Sequence, residues 1–197
     1  GLCKVRGVRQ GRMMSLTYSR PATIISDEIE KKPLFHFHPG TRALSLGSLG
    51  CNVLCAGCQN WQISHASARN ETARLSELSP SDAVALAKKH KLSGVAFTYN
   101  DPVIFLEYAV DTAAACRALG IATVAVTAGY ITPAARPAAI ASAICKSAKT
   151  CVTRERKNCI TVSRITACGG TVCSVFCCVI LPYAQRGPSS GSRSWYL

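Results

Sequence analysis

Acidic residues are scarce in this chain of 197 residues, which has 10 Asp and Glu against 23 Lys and Arg. The formal net charge of +13 would favour nucleic acid or another anionic surface as a partner. The charge is uneven, because residues 1–144 contain 15 basic and 9 acidic residues and residues 145–197 contain 8 and 1. The basic cluster Arg154, Arg156 and Lys157 has no aromatic neighbours that could stack on bases. A basic nucleic-acid-binding module is therefore only a minor alternative, and we expect no nucleic-acid partner.

Long apolar runs are also missing. The longest, Val172 to Leu181, is interrupted by Ser174 and is about half as long as a membrane span. No charged segment followed by an apolar one opens the chain, as a secretory signal would. We expect a soluble, cytoplasmic protein with no membrane partner. In such a reducing compartment, its 12 cysteines are more often metal ligands or core residues than disulfides.

Strand and helix patterns alternate from Ala43 onward, which indicates an α/β fold with a parallel sheet. Ligands of such folds bind at the carboxyl ends of the strands, so the residues just after each strand are the informative ones. The expected strands are Ala43–Leu46, Val95–Tyr99 and Ile121–Thr127, and the expected helices are Ser79–Lys91, with a capping box of Ser79 and Asp82, and Asp101–Leu119.

The composition divides the chain into three parts. Residues 1–42 are an N-terminal extension of β-type composition, in which the polar segment 26–32 is expected to interrupt the strands. Residues 43–144 hold about three β/α units, whereas a complete eight-unit barrel takes about 250 residues. Residues 145–197 contain seven of the cysteines and show no strand and helix alternation. We expect this tail to lie outside the fold, as after a frameshift or a retained intron, and to leave the edge of strand 121–127 exposed.

One expected loop, between the first strand and the first helix, carries Cys51, Cys55 and Cys58 in the spacing C-x3-C-x2-C. Three thiolates at this spacing can hold three corners of a four-iron four-sulfur cluster and leave one iron open. A zinc site with His65 as the fourth ligand is an alternative. Cysteines without a ligand role are another.

Longer strings around this loop resemble the radical enzyme of the AmmeMemoRadiSam system, within the radical S-adenosylmethionine superfamily. Members of this family are often described as similar to pyruvate formate-lyase activating enzyme. The resemblance covers about residues 3–140 and implies a partial (β/α) barrel, here incomplete, with a β-rich N-terminal extension. The matching strings are EKKPLFHFHPG, SLGSLGCN and CQNWQIS between residues 27 and 64, TYNDP at 98–102 and VTAGYITP at 126–133.

The resemblance implies radical chemistry. Cys51, Cys55 and Cys58 would hold the cluster, whose open iron binds the amino and carboxylate groups of S-adenosylmethionine. An electron from a donor such as reduced flavodoxin or ferredoxin then cleaves this cofactor to methionine and a 5′-deoxyadenosyl radical, which abstracts hydrogen from a substrate. A protein substrate or another component of the system is a further implied partner.

Five residues would bind S-adenosylmethionine according to the same resemblance. Asn100 and Asp101, where the family reads TYNEP, would hold the methionine amino group, a cation that needs an acceptor. Thr127, Gly129 and Tyr130, where the family reads VTNGY, would flank the cofactor. From the local sequence alone, Asp101 is equally well explained as a helix N-cap.

The chain departs from the family pattern at three positions in or near these motifs. Asp101 replaces a Glu, Ala128 replaces an Asn, and Gly57 stands where an aromatic residue that packs on adenine is common. An inactive truncated relative or a scaffold is therefore an alternative to an active enzyme.

Three aromatic side chains lie near these motifs. His36 and His38 would share one face of a strand and could pair on a metal, although the resemblance favours a packing role. Trp61 is expected to be a core aromatic residue beside the cysteine loop.

Overall fold

The computed structural model describes residues 1–32, 34, 37–128 and 132–134, together with the backbone of two strands at 160–168 and 171–180. The strands are β1 (Arg6–Arg9), β2 (Arg12–Ser15), β3 (Thr23–Glu28), β4 (Arg42–Gly47), β5 (Gly94–Phe97), β6 (Ala122–Thr127), β7 (Ile160–Cys168) and β8 (Thr171–Ile180). The α-helices are α1 (Trp61–Ser64), α2 (Ala68–Glu71), α3 (Pro80–Lys89) and α4 (Leu106–Ala118). Three 3₁₀ turns occupy Ile29–Lys31, Thr72–Arg74 and Pro102–Phe105.

A mixed sheet of six strands forms the centre of the fold, in the order β3, β4, β5, β6, β8, β7. β4, β5 and β6 are parallel neighbours, and β3 runs antiparallel to β4 at one side. β1 and β2 form a separate antiparallel hairpin. Because β4, β5 and β6 run in one direction, the segments that follow them meet at one edge of the sheet.

Both faces of the parallel strands are covered, which is typical of such sheets. Side chains alternate along a strand, so Leu44 and Leu46 of β4 pack with α3 and α4 while Ala43 points to the other face. There, Ile29 and Phe37 cover the sheet. The N-terminal extension thus supplies both an edge strand and part of the core.

The two predicted helices are present, with one difference. α3 begins at the predicted capping box, in which the Ser79 hydroxyl accepts a hydrogen bond from the Asp82 N–H at 3.1 Å. The helix predicted from Asp101 begins instead as the 3₁₀ turn Pro102–Phe105 and becomes α4 at Leu106. The Asp101 side chain caps this turn by accepting from the Val103 N–H at 3.1 Å.

The N-terminal extension differs from the sequence-based expectation. β3 runs through the polar residues Ser26, Asp27 and Glu28, which we expected to interrupt the strand. Backbone pairing with β4 sustains the strand, with Ser26 opposite Leu44 and Glu28 opposite Arg42. The Arg42 side chain also forms an ion pair with Glu28 at 3.2 Å, so cross-strand contacts outweigh the polar composition.

Two strands from the tail lie in the sheet, which also differs from the expectation that the tail lies outside the fold. β8 pairs in parallel with β6, from Thr123 opposite Ser174 to Thr127 opposite Cys178, and β7 pairs antiparallel with β8. The edge of β6 that we expected to be exposed is therefore paired. Both strands are rich in β-branched residues, and two glycines separate them in the sequence, which is a hairpin signal. The domain boundaries at residues 43 and 145 stay predictions.

Within the described part of the chain, no helix is long and apolar enough to cross a membrane.

Candidate functional site

A cavity of about 690 Å³ opens where the carboxyl ends of β4, β5 and β6 meet the cysteine loop. This volume is within the range of small-molecule sites, about 300–1,000 Å³. Six of the eight predicted site residues line it, namely Cys51, Cys55, Cys58, Asn100, Asp101 and Thr127. The other two, Gly129 and Tyr130, lie outside the described residues.

The three thiols of the loop are free and differ in exposure. Cys51 is buried, Cys58 is half-buried and Cys55 is exposed. The Cys58 Sγ lies 3.2 Å from the Ser64 hydroxyl oxygen of α1. Burial, followed by the negative charge of the Cys58 and Cys51 thiolates, raises the pKa of Cys55 above its usual value. The thiolates of Cys51 and Cys58 thus act on Cys55 through the cavity.

The donor set suits a metal–sulfur group, although the side chains are not gathered around a metal position. Among the described residues, no three His, Cys, Asp or Glu side chains are arranged to hold a metal ion. Thiolates are nevertheless the ligands of iron–sulfur clusters, and all three line one cavity. The buried Ser48 Oγ and Asn52 Oδ1, which flank Cys51 in the sequence, have no hydrogen-bond partner in the structure. Because buried polar atoms are normally paired, this region fits a loop that binds a further group.

The zinc alternative receives no support from this geometry. His65, the candidate fourth ligand, is exposed and does not line the cavity. The three cysteines are therefore not joined by the ligand that a closed tetrahedral site would need.

Asn100 is buried, and within the described part of the chain its side-chain hydrogen bonds run to the segment that precedes Cys51. Its Nδ2 donates to the carbonyl oxygens of Ser48 and Gly50, both at 2.6 Å, and its Oδ1 accepts from the Ser48 N–H at 3.1 Å. Asn100 therefore connects the end of β5 to the beginning of the cysteine loop.

Asp101 is buried and connects the end of β5 to the end of β6. Its Oδ1 accepts from the Val103 N–H and, at 2.7 Å, from the Thr127 hydroxyl, while its Oδ2 accepts from the Ala128 N–H at 3.1 Å. The N-cap role expected from local sequence is thus one of three contacts. Thr127 is buried as well, and both residues line the cavity.

A second polar cluster, which the sequence did not reveal, lines the same cavity. Lys32 is only 2% exposed, and its Nζ donates to Asp27 Oδ2 at 3.1 Å and to the Glu28 carbonyl at 3.4 Å. The Tyr99 hydroxyl also donates to Asp27 Oδ2. Burial alone would raise the pKa of Asp27, but the hydrogen bonds from Tyr99 and Lys32 outweigh it and keep the pKa below its usual value.

This cluster affects Tyr99 in turn. Burial and the hydrogen bond to Asp27 raise the pKa of Tyr99 well above its usual value. Tyr99 also has a φ of +73°, in the left-handed region that non-glycine residues rarely adopt. The residues Asp27 and Tyr99 are 72 positions apart, so only the pairing of β3 with β4 and of β4 with β5 brings them together.

The expectations for His36, His38 and Trp61 differ in how they compare with the structure. His36 lies outside the described residues, so its pairing with His38 stays a prediction. His38 is exposed, and its ring lies edge-on to Phe37 with centroids 4.5 Å apart. The expectation of a core position for Trp61 is wrong, since this side chain is 58% exposed at the start of the short helix α1.

Comparisons with known proteins find an archaeal relative. No protein-family model matches the chain, and no solved structure matches it. The uncharacterized protein MJ0808 of Methanocaldococcus jannaschii is 37% identical over 131 residues, which are 66% of this chain and 39% of that protein. The chain thus spans well under half the length of the relative it matches.

Proposed function

We propose that this chain binds a four-iron four-sulfur cluster through Cys51, Cys55 and Cys58 and acts with S-adenosylmethionine as a radical enzyme of the AmmeMemoRadiSam type. One observation carries the proposal: the three thiols line the same cavity as the strand-end residues to which the family resemblance assigns the cofactor. When bound together, cluster and cofactor supply reductive cleavage of the sulfonium and hydrogen abstraction from a substrate.

The strand-end residues suit a bound cofactor in different degrees. Among the described residues, Asp101 Oδ2 accepts one hydrogen bond, from the Ala128 N–H, so the carboxylate retains an acceptor position for the methionine amino group. Thr127 orients this carboxylate through its hydroxyl. Gly129 and Tyr130 would flank the cofactor as the resemblance implies, and the fold would be the start of a partial (β/α) barrel.

An electron donor is the partner that this function requires. The tip of the cysteine loop, including Cys55, is exposed, so a small redox protein such as reduced flavodoxin or ferredoxin can approach the proposed cluster. Such donors fit the cytoplasmic location expected from the sequence. A protein substrate or another component of the same system would be the second partner.

An inactive relative that keeps the cavity as a scaffold is the second candidate. It is favoured by Gly57, which carries no side chain where an aromatic residue that packs on adenine is common in the family, and where a Cβ would meet no atom within 4 Å. Ala128 likewise has no polar side chain, and its backbone N–H already donates to Asp101 Oδ2.

Anaerobic reconstitution with iron and sulfide tests the proposal. The full chain should gain a brown chromophore with about four irons and four sulfides per chain, as one cluster requires. The triple variant Cys51→Ala, Cys55→Ala, Cys58→Ala should gain none, and Cys3→Ala, a matched control outside the loop, should behave like the wild-type chain. A chromophore of equal intensity in the triple variant would exclude the cluster assignment. A cluster that forms without binding S-adenosylmethionine would favour the inactive relative.

A further inference from the structure

We propose that Asn100 is a positioning residue that holds the entry to the cysteine loop in the conformation needed to bring three thiols together. The entry is defined as residues 48–50, which lead directly into Cys51. The inference assigns Asn100 to the loop instead of to the cofactor. It rests on the proposed function only for the identity of the group that the thiols bind.

The hydrogen bonds of Asn100 leave little capacity for a ligand. A side-chain amide has two N–H bonds, and Asn100 donates one to the Ser48 carbonyl and one to the Gly50 carbonyl, both at 2.6 Å. Its oxygen accepts the Ser48 N–H at 3.1 Å. Since Asn100 is only 6% exposed, water does not compete for these groups. The amide thus pairs with Ser48 through both its donor and its acceptor.

The chemistry of the pairing is specific for an amide. Fixing two carbonyls and one N–H requires two donors and one acceptor on the same small side chain, which an aspartate of equal size cannot supply. An aspartate would direct a carboxylate oxygen at the Ser48 and Gly50 carbonyls. The family resemblance alone could not reveal this role, because it depends on contacts 50 and 52 positions away along the chain.

The exit of the loop, defined as residues 60–63, is hydrogen-bonded to the segment after β5 as well. Asn60, which follows the last cysteine by two positions, donates from Nδ2 to the Tyr99 carbonyl at 2.9 Å. The Gly50 N–H donates to the Ile63 carbonyl at 2.7 Å and joins entry to exit directly. Tyr99 and Asn100 thus hold both ends of a loop whose middle, around Cys55, is exposed.

Fixing both ends should matter for binding. A flexible loop must lose conformational freedom when three thiols converge on one group, and a loop with fixed ends has less freedom to lose. Cys51 follows Gly50 directly, so an entry that moves also moves the first thiol. We therefore expect Asn100 to influence every ligand that needs all three thiols, whichever metal or metalloid it contains.

Arsenite is a suitable probe, because trivalent arsenic bonds three thiols and needs neither iron nor S-adenosylmethionine. The reduced full chain without cluster is titrated, and the signal of the triple alanine variant is subtracted to remove the other cysteines. Asn100→Asp should weaken arsenite binding roughly tenfold or more, as expected for the loss of buried hydrogen bonds. Asn70→Asp, the same change at an exposed position of α2, should have no effect.

Amide hydrogen exchange separates a local effect from unfolding. In Asn100→Asp, exchange should accelerate for Ser48 and Gly50 while α3 and α4 keep wild-type protection. If α3 and α4 also lose protection, Asn60→Ala becomes the deciding variant, since it removes a single contact at the exit. It should weaken arsenite binding several-fold, consistent with one lost hydrogen bond.

The outcomes are distinguishable. Unchanged arsenite affinity in Asn100→Asp, or in Asn60→Ala where Asn100→Asp disturbs α3 and α4, would overturn the positioning role, whether or not a cluster forms. If arsenite binding depends on Asn100 but the wild-type chain forms no cluster with iron and sulfide, the positioning role stands and the proposed function fails.

Discussion

Replacing Asp101 with alanine is expected to lower the free energy of unfolding by about 3 kcal/mol, well above the roughly 1 kcal/mol typical of a lost N-cap. The reason is the number of donors that lose their acceptor. The buried carboxylate accepts from Val103 N–H at 3.1 Å, from the Thr127 hydroxyl at 2.7 Å and from Ala128 N–H at 3.1 Å. Alanine leaves all three without this partner at the junction of β5 and β6.

The size of this loss in stability depends on whether each donor finds another partner once the carboxylate is removed. A hydrogen bond to a charged group contributes about 1.5–3 kcal/mol, and a buried donor without a partner costs about 1–3 kcal/mol. The three values do not add, because the Thr127 hydroxyl can rotate and the half-buried Ala128 N–H can reach water from the cavity. Removing the carboxylate also removes the unfavourable burial of its charge. After these reductions, we expect Asp101→Ala to lower the free energy of unfolding by about 3 kcal/mol.

Urea unfolding of the full chain measures this difference, with Asp82→Ala as the matched control. Asp82 is the exposed N3 residue of the capping box of α3, and its carboxylate accepts from the Ser79 N–H and the Ser79 hydroxyl, so its loss should cost about 1 kcal/mol or less. Asp101→Asn should be intermediate, because it keeps one acceptor oxygen but can direct its amide N–H groups at the Ala128 N–H. Equal losses in Asp101→Ala and Asp82→Ala would refute the reasoning and leave Asp101 as a simple helix cap.

Three further predictions follow from single positions. Gly50 has a φ of +74°, and a Cβ there would overlap the carbonyl oxygen of Cys3. Gly50→Ala should therefore destabilise the chain by about 2 kcal/mol or more in the same urea assay. The control Gly57→Ala has open space around the new methyl group and should change the free energy of unfolding by less than about 0.5 kcal/mol. Under the proposed function, Gly57→Phe should fold normally and bind S-adenosylmethionine more tightly in equilibrium dialysis; unchanged or weaker binding would place adenine elsewhere. The pKa of Asp27 is lower in the folded state than in the unfolded chain, so its contribution to stability is present above about pH 4 and is lost as the pH falls further. The free energy of unfolding should therefore depend less on pH in Asp27→Asn than in the wild-type chain. Parallel plots of this free energy against pH would contradict the ion pair with Lys32.

Local signals in the sequence were sufficient to predict the regular elements that position the site. The capping box at Ser79 gave the start of α3, and the apolar run 121–127 corresponds to β6 at Ala122–Thr127. The position of the cavity was predictable too, since parallel strands bring the segments after them to one edge of the sheet. These inferences depend on neighbours within a few residues or on a general rule of topology.

The contacts that build the site were not predictable in the same way. The cluster of Asp27, Lys32 and Tyr99 depends on the pairing of β3 with β4, and the polar composition of β3 pointed away from a strand. An asparagine is suited both to bind a cofactor and to hold a loop, so only the hydrogen-bond partners of Asn100 distinguish the two roles. The expectation that the tail lies outside the fold rested on its unusual composition, whereas β8 pairs with β6 in the structure.

Three consecutive residues near the end of β5, namely Tyr99, Asn100 and Asp101, connect three different parts of the cavity. Tyr99 donates to Asp27 of β3, Asn100 binds the entry of the cysteine loop, and Asp101 binds the end of β6. A substitution at any of them should therefore disturb the shape of the cavity before it disturbs a chemical step. The TYNDP string, which supports the family resemblance, can consequently be explained by architecture alone.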